Sequence, residues 1–278
     1  MKKIALITLF AASAMLSQGA LIHTGLINYW NMDGNANDTA GSFAEATSSQ
    51  VDNGTVEGTA GTVSFATGLF GGGVDFERSA GTDGRIQVLD GAGNDVDRTG
   101  LDVSISLWVQ HDSGDSQQTG WQALLAHGEG SDYRIARDSG GGNIPGPAYA
   151  GGGSDIRDLS GNNVYDGSWF HIVATTANGG ATELYVNGVN VVSGTATGIN
   201  DNGTNNLWIG NNPQGGANRM WDGMIDDVAM WDRVLTPAEA SEIYSFGTGG
   251  VSLGAIPEPA TGLLGALAGL LALGRRRR

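Results

Sequence analysis

Residues 103–109 read Val-Ser-Ile-Ser-Leu-Trp-Val, and this stretch decides the fold class. Apolar residues occupy every second position, which is the spacing that puts side chains on one face of a β-strand. Residues 169–176 and 182–186 alternate in a similar way. The alternation predicts strands that each turn one face towards a core. In the first of these strands, the buried face should consist of Val103, Ile105, Leu107 and Val109.

The turn signals between these runs favour an all-β fold. Asn187-Gly188 separates the apolar runs 184–186 and 189–192, and this dipeptide favours a two-residue hairpin because both positions need a positive φ. The chain contains 47 glycines without a fixed period, which fits many tight turns between short strands. It contains no cysteine, so the stability of the domain has to come from its core.

One short helix is predicted near the end of the domain. Thr236 is placed as its N-cap, Pro237 occupies the first helical position, and Glu239 closes a capping box. The helix should end near Gly247. Many strands followed by one late helix predict a single all-β domain, an antiparallel β-sandwich, over residues 21–250.

The start of the chain has the features of a secretory signal. Lys2 and Lys3 precede the apolar residues 4–16, and small residues that suit a cleavage site follow. The apolar stretch is too short to span a bilayer. We therefore predict that residues 1–20 form a signal helix that is removed on export.

The end of the chain has a three-part order. Pro257-Glu258-Pro259 is followed by a 15-residue apolar run up to Gly274 and by four arginines. As a helix, the run would reach about 22 Å against roughly 30 Å of hydrocarbon, which suits transient anchoring better than permanent anchoring. Residues 256–278 resemble the PEP-CTERM sorting signal. The resemblance implies an exosortase in the inner membrane of a Gram-negative bacterium that cuts near the Pro-Glu-Pro tripeptide. A plain C-terminal anchor is the alternative.

The charge of the remaining chain excludes several partners. Without the two terminal segments, 8 arginines stand against 28 carboxylates, a net charge of −20. A chain this acidic is repelled by nucleic acid and by anionic lipid. Binding to duplexes or to membrane surfaces is therefore not expected, and divalent cations are the natural counter-ions.

Five segments, in their order and spacing, carry a resemblance to a known family. They are residues 29–38 (YWNMDGNAND), 68–76 (GLFGGGVDF), 103–109, 167–174 (GSWFHIVA) with 184–188 (LYVNG), and 221–236 (WDGMIDDVAMWDRVLT). Together they resemble the LamG-like family of concanavalin A-type jelly rolls over nearly all of residues 26–246. The resemblance implies an antiparallel jelly-roll sandwich. Such folds host many functions, so the function has to be argued from a site.

The resemblance also implies a structural calcium ion that ties the first loop to the last strand. The matching carboxylates are Asp33 and Asp226, with Asp38 and loop carbonyls as further oxygen ligands. In an extended strand, Asp226 and Asp227 point to opposite faces, so one of them should be sequestered and need a cation or hydrogen-bond donors. The alternative is that Asp226 accepts only backbone N–H bonds, while Asp33 and Asp38 cap turns.

Carbohydrate binding is a second candidate activity. Sugar sites in sandwiches usually combine an exposed aromatic ring with Asp and Asn side chains on loops. Most of the aromatic residues are expected in the core, although several others, including Trp121 and Trp208, fall in loops. The residues predicted to bind a ligand are Trp221, as the exposed ring, with Asn218, Asn211 and Asn212.

Catalysis is not expected. Retaining glycosidases need two carboxylates about 5–5.5 Å apart, which this fold typically supplies from one strand as Glu-x-Asp-x-Glu, and that pattern is missing. The sequence also lacks a Gly-x-Ser-x-Gly nucleophile elbow, and no pair of its histidines has metal-ligand spacing. We assign no catalytic residue.

The sequence therefore predicts an exported, non-catalytic protein of the cell surface or extracellular matrix. Its expected partner is a polysaccharide or a surface protein, because exosortase systems, which the tail implies, generally accompany exopolysaccharide production. Two alternatives stay open: a structural biofilm or envelope component without a defined ligand, and a polysaccharide-degrading enzyme.

Overall fold

The computed structural model of the chain describes residues 22–91, 95–112, 121–137, 146–200, 205–214 and 219–256. These residues form two antiparallel sheets packed face to face, which confirms the predicted all-β sandwich of the concanavalin A-like jelly-roll type. The predicted signal helix and the sorting tail with Pro257, Glu258 and Pro259 lie outside the described residues. Within those residues, no helix combines the length and apolar character that a bilayer crossing requires.

The first sheet has eight strands. Seven of them follow one path, and β1 pairs with the second half of β15 beside that path. In spatial order the path is β13 (Val189–Thr195), β12 (Ala181–Val186), β11 (Trp169–Thr176), β6 (Val103–His111), β15 (Gly223–Trp231), β4 (Gly72–Phe76) and β3 (Val63–Phe70), with β1 (Leu26–Trp30) beside it.

The second sheet has seven strands, and all of its neighbouring pairs are antiparallel. Its spatial order is β10 (Ile156–Arg157), β9 (Pro147–Gly151), β8 (Tyr133–Arg137), β7 (Gln122–Ala126), β14 (Leu207–Ile209), β5 (Arg85–Val88) and β2 (Gly54–Glu57). Three short 3-10 helices lie outside the sheets, at Ala40–Ser42, Arg78–Ala80 and Leu253–Ala255.

The main core lies between the two sheets. The four residues that the alternation assigns to the buried face of β6 are all fully buried there, together with large side chains from both sheets. The two-residue hairpin is also confirmed, because Asn187 has φ 50° and Gly188 has φ 75° between β12 and β13. Period-two alternation therefore locates the main core correctly.

The predicted helix is present as α1 (Pro237–Thr248). The Thr236 hydroxyl accepts a hydrogen bond from the backbone N–H of Glu239, and the Glu239 carboxylate accepts one from the N–H of Thr236 at 2.8 Å, which completes the capping box. The ion pair between Glu239 and Arg233 at 2.7 Å fixes the same turn from the side. The sequence thus specifies where this helix begins.

Helix α1 covers the outer face of the eight-stranded sheet. Trp108 of β6 stacks on Tyr244 of the helix with ring centroids 5.9 Å apart, and His171 of β11 lies 4.8 Å from the Trp108 ring. Burial lowers the pKa of His171 to about 3, which fits the packing role expected of this side chain. A second hydrophobic cluster, separate from the main core, fills this outer layer and includes Trp231 and Ile243.

We predict that Gly247→Ala destabilises the protein. In an open helical position this change would stabilise the fold by up to about 1 kcal/mol. Here a Cβ on Gly247 would lie 2.1 Å from Cζ2 of Trp108, and overpacking of this kind costs about 1–3 kcal/mol. We therefore expect a lower free energy of unfolding, measured by urea denaturation.

The matched control is Gly41→Ala, because a Cβ at Gly41 meets no atom within 4 Å. This control should change the free energy of unfolding by less than about 0.5 kcal/mol. A Gly247→Ala variant that is more stable than the parent would show that α1 does not press on Trp108 as described.

Candidate functional site

Strand β15 carries a bulge at its two adjacent aspartates. The register between β15 and β6 shifts between Asp226 and Ala229, and Asp227 has φ 53°. The two side chains therefore do not alternate as in an extended strand, and both of them are sequestered, where the sequence predicted this for one. Asp226 is fully buried, and Asp227 is 4% exposed. A bulge adds a residue to one strand and leaves both carboxylates away from solvent.

Asp226 holds the turn between β3 and β4. Its Oδ2 accepts hydrogen bonds from the backbone N–H groups of Leu69 at 2.8 Å and Phe70 at 3.0 Å. Its Oδ1 is buried and has no hydrogen-bond partner among the described residues. Desolvation by burial raises the pKa of Asp226 to about 7. The Oδ1 atom therefore needs either a proton or a cation.

Asp33 lies on the other side of the same turn. Its Oδ1 accepts a hydrogen bond from the N–H of Gly72 at 2.6 Å. Asp226 and Asp33 thus bind the two ends of one glycine-rich turn. A Cβ at Gly68 would clash with the Asp226 carboxylate, and a Cβ at Gly71 would clash with that of Asp33. The alternative to a calcium site was that these carboxylates bond the backbone. It is present in part, since Asp226 and Asp33 both accept backbone N–H bonds.

Asp227 fastens the C-terminal segment of the domain. It accepts hydrogen bonds from the Tyr29 hydroxyl and from the N–H of Leu253, the latter at 2.8 Å. Burial raises the pKa of Asp227 to about 6, and burial together with Asp227 raises the pKa of Tyr29. A pocket of about 340 Å³ lies here, with Tyr29, Asp33 and Asp227 among its lining residues.

The third predicted calcium ligand, Asp38, is committed elsewhere. Its two oxygens accept four N–H bonds, from the backbones of Tyr29, Ala40 and Asp52 and from the side chain of Asn28, all between 2.9 and 3.2 Å. The described residues contain no group of three or more acidic or histidine side chains placed to hold a metal ion. The structure therefore does not assemble Asp33, Asp38 and Asp226 into one ligand set.

The outer side of the seven-stranded sheet carries a row of five side chains, of which Gln87 and Trp208 are partly exposed and the other three are buried. Cross-strand register places five residues side by side across β5, β14, β7, β8 and β9. At about 4.8 Å between strands, the row is about 19 Å long. We call it the transverse row, and it consists of Gln87, Trp208, Ala126, Arg134 and Ala150.

One end of the transverse row opens into a pocket of about 290 Å³, the Trp208 pocket. The half-exposed indole of Trp208 donates its N–H to Gln87 at 3.0 Å, and the Arg85 guanidinium lies 4.2 Å from the ring centroid. Asn211 and Asn212 also line this pocket. The structure therefore brings both predicted asparagines to an aromatic ring, although the ring belongs to Trp208 and not to Trp221.

The other end opens into a pocket of about 510 Å³, the Arg134 pocket. Arg134 is ion-paired with Glu129 and, at 2.6 Å, with Asp155. Its guanidinium also lies 4.9 Å from the ring centroid of Trp121, and that of Arg157 lies 5.1 Å from the same ring. Trp121 thus packs against two arginine side chains. The charged groups of this pocket are held by these ring contacts and by the ion pairs of Arg134.

A hydrogen bond joins the two pockets. Asn212, which lines the Trp208 pocket, donates its side-chain N–H to Glu129 of the Arg134 pocket at 2.7 Å. Asn211 donates to the carbonyl oxygen of Gly84 at 3.1 Å. Both asparagine side chains are nearly buried, so they shape the pockets more than they face a ligand.

The prediction that Trp221 is an exposed ring is wrong. Trp221 is fully buried, its indole N–H donates to the carbonyl oxygen of Met224, and its ring packs edge-on against His111. Asn218 lies outside the described residues. Sequence reasoning missed Arg134, although the alternation in Tyr133-Arg134-Ile135 places this arginine on the face opposite to the core.

Two facing antiparallel sheets with this strand order define a jelly-roll sandwich of the concanavalin A-like type. A model of the concanavalin A-like lectin/glucanases superfamily matches residues 80–241 of the 278-residue chain. The chain belongs to this superfamily. No curated protein matches it in sequence.

Several solved structures share the fold. Domain 4 of AbnA, a GH43 extracellular arabinanase from Geobacillus stearothermophilus solved in complex with arabinotriose, is 20% identical, with a TM-score of 0.57 over 79% of this chain and 98% of that one. The binding domain of Paraclostridial mosquitocidal protein 1 is 15% identical, with a TM-score of 0.59 over 80% and 52%.

A third similar structure is that of botulinum neurotoxin type C, which depends on interaction with two ganglioside molecules to enter cells. It is 15% identical, with a TM-score of 0.57 over 82% of this chain and 52% of that one. At these identities the likeness shows the fold alone.

Calcium binding stays a prediction, and the Asp226 carboxylate is where it is testable. An ion would supply the partner that Oδ1 lacks. We expect calcium to raise the melting temperature and chelation to lower it, by an amount equivalent to about 2.7 kcal/mol at a hundredfold excess over the dissociation constant. Asp226→Asn should abolish this response, because the amide still accepts from Leu69 and Phe70 but carries no charge.

The control is Asp232→Asn, which removes an exposed carboxylate that bonds Thr47. This variant should keep the full response to calcium in differential scanning fluorimetry. Purified protein without bound calcium by elemental analysis, together with a melting temperature that chelators leave unchanged, would refute the prediction.

Proposed function

We propose that this protein is an exported, non-catalytic surface or matrix protein whose domain binds extracellular polysaccharide on the outer face of the seven-stranded sheet. The two pockets carry the proposal, because both open on this face, on either side of the hydrogen bond from Asn212 to Glu129. Two neighbouring pockets on one face suit separate sugar residues of one chain. Helix α1 and the second hydrophobic cluster cover much of the outer face of the other sheet.

The side chains of the transverse row suit sugar recognition. The partly exposed Trp208, with the Arg85 guanidinium against its ring, offers aromatic surface for the C–H face of a sugar ring. Charged and amide groups at both ends supply the donors and acceptors that orient hydroxyl groups.

The similar structures add support from their own ligands. The arabinanase domain was solved with an arabinose trisaccharide, and the neurotoxin interacts with gangliosides, whose headgroups are sugars. A surface protein is the alternative partner, and the binding experiments below distinguish it from a polysaccharide.

Against a catalytic role stands the environment of the acidic groups. Asp75 and Glu77 are two residues apart at the end of β4, but Glu77 accepts from the N–H of Ser79 and caps a 3-10 helix. The buried Asp226 and Asp227 bond the backbones of neighbouring segments. Activity on a panel of polysaccharides would favour the enzyme, and absence of both binding and activity would favour the purely structural role.

We predict that Trp208→Ala weakens polysaccharide binding about thirtyfold, because loss of a hot-spot aromatic ring costs about 2 kcal/mol. A glycan array identifies the ligand for the parent chain, and titration calorimetry then measures the variant. The matched control is Trp169→Ala, which removes a half-buried indole from the other sheet. Equal losses in both variants, or no glycan bound by the parent, would contradict the proposed function.

Export is part of the proposal and has its own test. Residues 1–20 fused to alkaline phosphatase without its own signal should give enzyme activity outside the cytoplasm of a Gram-negative host. Leu9→Arg should abolish this activity, because a charge interrupts the apolar segment that the secretion machinery needs. Activity that survives this substitution would show that these residues do not act as a signal.

A further inference from the structure

The floor of the Arg134 pocket is polar and consists of Arg134 and its two carboxylate partners. The Arg134 side chain is 5% exposed, and its two terminal nitrogens are held by Glu129 and Asp155. Its Nε is buried and has no hydrogen-bond partner among the described residues. A buried donor without a partner is unusual in a finished structural network. The polar network of this floor is therefore incomplete.

Two of the three more accessible charges of this floor are carboxylates. Glu129 and Asp155 face the pocket with side chains that are 33% and 24% exposed, whereas the cation between them is buried. Arg219 lies 3.6 Å from Glu129 and offsets part of its charge. An anionic sugar would therefore meet two accessible carboxylates in a chain whose net charge is −15.

The walls of the pocket offer uncharged hydrogen-bonding groups. Ser131 and Thr197 donate their hydroxyls to backbone carbonyls, at 3.0 Å in each case, so their oxygen lone pairs remain available to accept. Gly152 and Gly153 form another wall, where the missing side chains allow a ligand to approach the backbone. Ser154 adds a further hydroxyl group.

We propose that the Arg134 pocket takes an uncharged sugar residue that presents two adjacent hydroxyl groups to Asp155 and Glu129. Each hydroxyl donates to a carboxylate, the Ser154 hydroxyl is the donor left in the wall, and Ser131 and Thr197 offer acceptors to a neighbouring hydroxyl of the same sugar. The inference rests on the proposed function and names the class of its ligand: a neutral polysaccharide, not a polyuronate or a sulfated chain. Binding of such a ligand depends little on ionic strength, because no net charge is neutralised.

The sign of one substitution separates the two ligand classes. For a neutral sugar, Asp155→Asn removes a charged acceptor, and a hydrogen bond to a charged group is worth about tenfold or more in affinity. For an anionic sugar, the same substitution removes a repulsion and strengthens binding. The matched control is Asp166→Asn, on the loop before β11, where the exposed Asp166 carboxylate accepts a hydrogen bond from the N–H of Ser168.

The experiment is titration calorimetry of the full chain and the two variants with neutral oligosaccharides, such as arabinan and β-glucan fragments, and with polygalacturonate and alginate fragments, each at low and high salt. We expect binding of a neutral fragment that changes less than about twofold with salt, weakens about tenfold in Asp155→Asn and is unchanged in Asp166→Asn. Periodate treatment, which cleaves adjacent hydroxyl pairs, should abolish it.

Other outcomes overturn the inference in distinguishable ways. Binding of a uronate that falls with salt, is lost in Trp208→Ala and strengthens in Asp155→Asn would refute the neutral ligand and keep the proposed function. Binding of a neutral fragment that Asp155→Asn leaves unchanged would place the ligand outside the Arg134 pocket. Absence of binding to every fragment would refute the inference together with the proposed function.

Discussion

Period-two alternation in a strand commits only one face of each sheet to the core, and the other face has to be covered or left to solvent. In this sandwich the outer faces of the two sheets differ. The outer face of the eight-stranded sheet carries Trp108 and His171, which are apolar or poorly solvated and are covered by α1. The outer face of the seven-stranded sheet carries Trp208 and Arg134 between small residues, and the two pockets lie there. Function is therefore expected on the second sheet.

The buried aspartates of β15, a strand inside the eight-stranded sheet, connect segments that are distant in the chain. By bonding the turn at Leu69 and the C-terminal segment at Leu253, Asp226 and Asp227 join β3, β4 and the end of the domain to the last strand. Burial of two adjacent carboxylates is costly, and their raised pKa values record this cost. The bulge is thus a polar junction that connects distant parts of the chain without a disulfide.

On the outer face of the seven-stranded sheet, the polar groups of the Arg134 pocket are held by charge pairs rather than by hydrophobic packing. Arg134 is fixed by carboxylates on both sides and by an aromatic ring, and Asn212 links its pocket to that of Trp208. Surface ion pairs add little to stability, but a fixed arrangement lowers the cost of ordering side chains when a ligand binds. A preformed polar face is also consistent with a chain whose overall charge is strongly negative.

The sequence by itself determined the strands, the hairpin at Asn187-Gly188 and the helix that begins after Thr236, because alternation, turn chemistry and capping act over a few neighbouring residues. The burial of Trp221, the saturation of Asp38 and the meeting of Trp208 with Arg134 were decided by the tertiary structure. Each of these depends on register or on contacts between residues far apart in the chain. One extra residue at the Asp226 bulge alters which side chains share a face, and no local pattern in the sequence records that residue.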